Sequence, residues 1–268
     1  MRRFLKGLCS RLPHPLNSRR ISRIPGRVHW ADSMLPADDD ASVASYIQAG
    51  QSGLAAIARG LEASGKQISQ VSSALDLGCG YGRVLRYLCD QVDPQRISSC
   101  DLDARAVAFC SAELGTRALL SRPDFRDVPF ESYDLIWSGS LLTHLPEAAS
   151  ETLLSLLPSL LNPGGVAVIS FHGAHSLSSL GDLYGGDHAS EARAIRDEVG
   201  SRGSAYRAYS GRFVGYSGEA DYGMAWHRWE FLKQRCEHLS AKVVRATLHI
   251  PRGWDDHHDL AVFQRSEA

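Results

Sequence analysis

The chain has no apolar run long enough to span a membrane, no Cys-x-x-Cys pair and no zinc-type spacing of cysteine and histidine. It has no internal repeat and no low-complexity tract. It has almost no net charge, −1 over 268 residues, so a broad basic footprint for nucleic acid is missing and a nucleic-acid partner is disfavoured. Cys79, Cys89, Cys100 and Cys110 sit inside apolar stretches, where they read as small core residues of a reducing compartment and not as a disulfide frame. The expectation is a cytoplasmic protein. Acid is absent from Arg2 to Arg27, a stretch with eight Lys or Arg. Residues 1–36 therefore read as a flexible basic arm. Arg2, Arg3, Lys6, Arg11, Arg19 and Arg20 could touch an anionic membrane surface peripherally, and an Arg-rich, acid-free arm also fits a transit peptide. Met1 to Leu8 is too short for a signal-peptide core.

What is present is concentrated in Ala74-Leu75-Asp76-Leu77-Gly78-Cys79-Gly80-Tyr81-Gly82-Arg83-Val84. A short apolar strand runs into an acid and three alternate glycines, and a helix is predicted from Arg83 to Cys89. Glycines permit positive φ and let a ligand approach the backbone. A helix start offers unsatisfied N–H groups. A dinucleotide fingerprint wants its third glycine three residues after the second. That position is Arg83, which counts against a nicotinamide-dependent oxidoreductase.

From Ser73 the chain alternates strand and helix, which predicts an α/β fold: a doubly wound, mostly parallel sheet with helices on both faces and a closing antiparallel strand. Strands are predicted at Ala74–Leu77, Ile97–Cys100, Ala118–Leu120, Asp134–Trp137 and Val166–Phe171, with a closing pair at Val243–Ile250 and Leu260–Gln264. Helices are predicted at Ala41–Gly50, Leu54–Glu62, Ala104–Leu114, Glu147–Leu161, Ser190–Glu198 and Trp226–His238. Residues 37–268 form the domain. Within it, 172–223 is an insertion after the fifth strand, a candidate lid and acceptor-specificity region.

Asp76-x-Gly78-x-Gly80-x-Gly82 resembles motif I of the class I (Rossmann-like) S-adenosylmethionine-dependent methyltransferases. Asp101 at the end of the second strand, Asp124-Phe125 with Pro129-Phe130 after the third, and Asn162-Pro163-Gly164-Gly165 before the fifth extend the resemblance over about Ser73 to Phe171. The resemblance implies S-adenosylmethionine (SAM) as cofactor. Asp76, Gly78 and Gly80, with Cys79 and Tyr81, would hold its methionine part. Asp101 and Leu102 would meet the ribose, with Asp103 a helix cap. Asp124 and Phe125 would meet the adenine, and Ser138 would line the methionine end. Tyr46–Gly50 is similar to a segment that covers the cofactor.

The acceptor is less determined. No Asn/Asp-Pro-Pro-aromatic motif follows the fourth strand, and no Pro-Cys nucleophile is present. Phe171-His172-Gly173, Asp221-Tyr222-Gly223 and His258-Asp259 resemble bacterial methyltransferases associated with glycan and cell-surface biosynthesis, which implies a small-molecule or glycan acceptor and O-methylation. His144 and His172 follow strand ends and are the candidate bases, since imidazole titrates near working pH. Tyr222 and His227 are the candidate acceptor-lining residues. Asp255-Asp256-His257-His258-Asp259 carries metal-ligand chemistry, but adjacent side chains diverge on an extended chain, so no metal is assigned. A non-catalytic module that binds SAM or S-adenosylhomocysteine is the remaining alternative.

Overall fold

The computed structural model describes residues 19–125, 128, 131–180, 189–209 and 222–267. Strands β1 (Ala74–Leu77), β2 (Ile97–Asp101), β3 (Arg117–Leu120), β4 (Tyr133–Ser138) and β5 (Leu161–Phe171) pair in parallel. The chain later forms β6 (Ser204–Ala208), β7 (Gly223–His227), β8 (Val244–Trp254) and β9 (His258–Arg265). The main sheet has seven strands in the order β3-β2-β1-β4-β5-β9-β8. The strand order reverses at β1, so the crevice for a ligand opens beside the β1 and β4 carboxyl ends. β1 reads buried at all four positions, as a central parallel strand covered on both faces should.

Helices are α1 (Asp40–Ala63), α2 (Leu85–Leu88), α3 (Ala104–Leu114), α4 (Glu147–Leu160), α5 (Ala174–Ser178), α6 (Ala189–Arg202) and α7 (Trp229–Leu239). One apolar cluster joins α1 and the segment after β1 to one face of the sheet, through Ile57, Leu61, Leu85, Leu88, Val166 and Val168. A second joins α4 and α7 to the other face, through Leu153, Leu157, Leu232, Ile136 and Phe263. Among the described residues, no helix is long and apolar enough to cross a membrane.

Three expectations are corrected. The two helices expected between Ala41 and Glu62 are one, capped by Asp39, whose side chain accepts from Ser42 N–H. The glycines inside it are contacts and not breaks. A Cβ on Gly50 would lie 2.3 Å from the Tyr87 ring, and one on Gly53 would lie 2.6 Å from Val84. They let α1 press onto the segment after the glycine loop. The helix expected at Arg83–Cys89 is a single buried turn, Leu85–Leu88, so its dipole supplies little to a ligand. The helix expected from Trp226 starts at Trp229, because Trp226 and His227 belong to β7.

The basic arm ends earlier than expected. Ile21, Ile24, Val28 and Leu35 are buried with Val43 and Tyr46, so the stretch after Arg19 packs on the domain. Arg20 and Arg23 pair with Asp40 on the surface. Arg2, Arg3, Lys6 and Arg11 lie outside the described residues. The insertion carries its own small core, in which Leu180, Ala192, Ile195, Val199, Ala205 and Trp226 pack together. Strands β6 and β7 pair antiparallel. Arg207 on β6 ties to Glu191 and Glu198 of α6.

Candidate active site

The glycine loop takes the conformation its composition allows. Gly78, Gly80 and Gly82 all have positive φ, at 85°, 50° and 77°. Gly78 and Cys79 donate to Cys100 O at 2.8 and 3.0 Å, which carries the loop across the end of β2. The last two glycines differ in surroundings. A Cβ on Gly82 would stand 2.8 Å from Leu114, so this glycine seats α3 against the loop. A Cβ on Gly80 would meet nothing within 4 Å. The open side of the loop is thus at Gly80, where the half-exposed Tyr81, Asp101 and Leu102 also lie. Cys79 is buried beneath the loop, next to the Cys110 thiol, and that contact with burial pushes its own thiol pKa up.

Two carboxylates border this cradle. Asp101 Oδ2 accepts from Gly80 N–H at 2.8 Å and Oδ1 accepts from Asp103 N–H at 2.9 Å. Each oxygen retains a lone pair for a further donor. Asp103 is the cap expected of it, accepting from Arg105 N–H at the start of α3, and it also accepts from the Tyr81 hydroxyl at 2.9 Å. Asp76 is only 2% exposed. Burial, then the neighbouring Asp101 charge, raise its pKa to about 8. A carboxyl held partly protonated in this way gains most from a nearby cation.

A cover lies over the loop's flank. Arg86 is buried, and its guanidinium donates to Gly82 O, Tyr81 O, Pro25 O and Arg27 O at 2.6–3.2 Å. It also donates to the Tyr46 hydroxyl, which donates to Asp32 at 2.8 Å. His29 stacks on Tyr81 with centroids 4.5 Å apart. Of Tyr46–Gly50, the Tyr46 hydroxyl meets the loop's flank through Arg86, and the other polar contacts come from 25–32. Sequence reasoning missed this, since a single arginine bridging 60 positions leaves no local pattern.

The adenine residues divide. Asp124 is exposed in the turn after β3, whereas Phe125 is a core residue packed with Val128 and 5% exposed. Pro129 and Phe130 lie outside the described residues. The Ser138 hydroxyl donates to Leu77 O at 3.0 Å and is fully buried, so it locks β4 to β1.

β7, which follows the insertion, reaches the carboxyl ends of β4 and β5. Ala225 N–H donates to Thr143 O at 2.8 Å, and His227 N–H donates to His172 O at 3.0 Å. β7 thereby bridges the loops after β4 and β5. His144 Nδ1 lies 2.8 Å from Gly223 O, and the ring stacks on Tyr222 with centroids 4.7 Å apart. A carbonyl oxygen only accepts, so Nδ1 carries the hydrogen and Nε2 is the basic nitrogen. The same logic holds for His172, whose Nδ1 is 3.1 Å from Ala225 O. Burial lowers both pKa values, that of His172 strongly.

His227 does not line an acceptor pocket. It is 1% exposed, hydrogen-bonded to Ser204 Oγ at 3.0 Å and stacked on Phe231, and burial lowers its pKa to about 4. The expectation that His257 and His258 diverge is also overturned. Asp255 and Asp256 both have positive φ, so the chain turns, and the two rings lie 4.9 Å apart beside His172. A groove of about 510 Å³ between α1 and β8, lined by Arg59, Glu62, His249 and Pro251 among others, has none of these groups in its lining.

Residues 74–165 match the model of a family described as a methyltransferase domain. No curated protein matches the chain. Among solved structures, a SAM-dependent methyltransferase from Clostridium acetobutylicum ATCC 824 is similar over 81% of this chain and 92% of its own, at 10% identity and a TM-score of 0.53. A putative SAM-dependent methyltransferase from Listeria monocytogenes is similar over 80% of this chain and 100% of its own, at 15% identity and a TM-score of 0.51. Mitomycin 7-O-methyltransferase MmcR is similar over 85% of this chain and 56% of its own, at 12% identity and a TM-score of 0.51. At such identities the likeness concerns the fold. The open glycine cradle and its two acids fit an adenosyl sulfonium with an ammonium group, in place of the pyrophosphate of a nicotinamide cofactor. Residues 74–165 thus carry a methyltransferase domain, set in a seven-stranded fold like that of SAM-dependent methyltransferases.

Proposed function

We propose that the acceptor is a hydroxyl group of a small molecule or glycan, and that His144 removes its proton. The observation that carries this reading is the His144–Gly223 contact. It fixes the tautomer, leaves Nε2 as a free base, and occurs at the carboxyl end of β4, where the resemblance puts the methyl donor. Burial keeps the ring neutral at neutral pH, which is the form a base needs.

Bound SAM would supply an activated methyl group and leave as the neutral thioether, while His144 Nε2 would take the proton of the acceptor O–H. The chain's own contribution is alignment, exclusion of water and placement of that base. Asp101 would accept from the ribose hydroxyls, and Asp76 would face the ammonium. Tyr222, stacked on His144, offers a flat apolar wall for a sugar or ring acceptor. The absence of a nucleic-acid amine motif and a net charge of −1 support a small acceptor.

The test is methyl transfer from labelled SAM to a panel of sugars, glycolipids and phenols, with the linkage then challenged by alkali. Label in an alkali-stable ether is the expected result. Label in an alkali-labile ester, or on nitrogen, would overturn the hydroxyl reading.

A further inference from the structure

We propose that His172, His257 and His258 bind one divalent transition-metal ion of the zinc class at the acceptor end of the sheet. The three come from two elements that the sheet brings together. His172 follows β5, His258 opens β9, and His257 ends the turn before it. Phe171 and Asp259 are register partners in the β5–β9 pair, so His172 and His258 lie opposite one another just beyond the last rung. One nitrogen from each ring lies within 4.8 Å of the other two. Three nitrogens on a tetrahedral zinc ion stand about 3.3–3.5 Å apart, so the rings need only a small inward movement.

Two observations independent of that grouping point to a ligand. His172 Nδ1 is 3.1 Å from Ala225 O, which fixes the hydrogen on Nδ1 and leaves Nε2 as a lone pair. This is the backing that metal-binding histidines usually have. His258 Nδ1 is buried and has no hydrogen-bond partner. A metal ion would take its lone pair. Ser176 Oγ, 3.3 Å from His257 Nε2, holds the third ring. The nearby acid Asp259 is engaged elsewhere, accepting from Arg252 N–H at 3.0 Å and pairing with His249 at 2.9 Å.

An all-imidazole donor set suits zinc, cobalt, nickel or iron, and not magnesium or calcium, which take oxygen ligands. Three protein ligands leave one position open. An acceptor hydroxyl bound there would lose its proton more readily. This role rests on the hydroxyl reading above, but the site does not. It makes His172 a ligand, and leaves His144 as the base.

The test uses the untagged full chain, stripped with EDTA and desalted. Co²⁺ is followed by its visible absorption and Zn²⁺ by calorimetry, with no acceptor present. The expected result is one equivalent per chain in the wild type. Affinity should fall at least about 10-fold in His258→Ala and in His257→Ala, and be unchanged in His249→Ala. Circular dichroism melts and SAM binding check that each variant folds, and His257, the more exposed ring, keeps the test open if His258→Ala does not fold. Failure of folded wild-type protein to bind either ion, or equal binding by His257→Ala, would overturn the site. If the ion binds but methyl transfer to a hydroxyl proceeds equally well in stripped protein, the role at the acceptor is overturned. Absence of any transfer, stripped or loaded, would count against the hydroxyl reading and not against the site.

Discussion

Asp101 holds the glycine loop through Gly80: its Oδ2 accepts the Gly80 N–H at 2.8 Å, while its other oxygen accepts from Asp103 N–H at 2.9 Å. One carboxylate thus shapes the cradle and borders it. Asp101→Ala should lower SAM affinity at least about 10-fold and cost about 1–3 kcal/mol of stability, because a backbone donor loses a charged acceptor. Asp101→Asn should lie between. Calorimetry with SAM and a thermal melt measure the two effects, and unchanged affinity in Asp101→Ala would count against a ribose anchor.

The glycines at 80 and 82 separate binding from folding. Gly82→Ala meets Leu114 at 2.8 Å and carries a strained φ, so it should destabilise the apo protein by more than about 1 kcal/mol. Gly80→Ala also carries a strained φ but meets nothing with its Cβ, so it should cost less stability than Gly82→Ala, yet bind SAM poorly because the methyl group enters the cradle. Equal SAM affinity for Gly80→Ala and wild type would place the ligand elsewhere.

Asp76 makes both stability and binding depend on pH. Its pKa is about 8 in the folded protein, far above that of an unfolded aspartate. Its stabilising contribution is therefore full below about pH 4 and is lost as pH climbs through about 8. Across that window the apo wild type should lose melting temperature relative to Asp76→Asn. An ammonium group beside Asp76 favours the ionised form, so SAM binding at pH 7 should release a proton. Calorimetry in buffers of different ionisation enthalpy reads this release, which should shrink in Asp76→Asn.

His144→Ala should reduce turnover by about 10²–10⁴-fold with SAM affinity near wild type, the signature of a lost base. Steady-state kinetics beside calorimetry separate the two. Wild-type turnover would remove His144 from the mechanism.

Arg86 is the tie between the cover and the cradle. Arg86→Leu should loosen residues 25–32, seen as faster hydrogen exchange there, and weaken SAM binding, since Tyr81 and Gly82 lose the same donor. Unchanged exchange would mean that the Ile21–Leu35 apolar contacts hold the cover alone.

The sequence by itself determined the parallel core. Ala74–Leu77 and Ala104–Leu114 form where composition places them, because a buried central strand and an amphipathic helix with an Asp cap are local patterns. Asp76, the three glycines and Asp101 were legible for the same reason: strand, turn and helix follow within a few residues. What only the tertiary structure decided depends on contacts between distant segments. Gly50 and Gly53 look like helix breaks until Tyr87 and Val84 are seen to need their space. Phe125 could face either a ligand or the core, and burial with Val128 settles its side. His227 looked like a pocket residue, but pairing of β6 with β7 buries it against Ser204. His172 and His258 stand 86 positions apart in the chain, and only the antiparallel register of β5 and β9, with the turn at Asp255 and Asp256, puts their rings side by side.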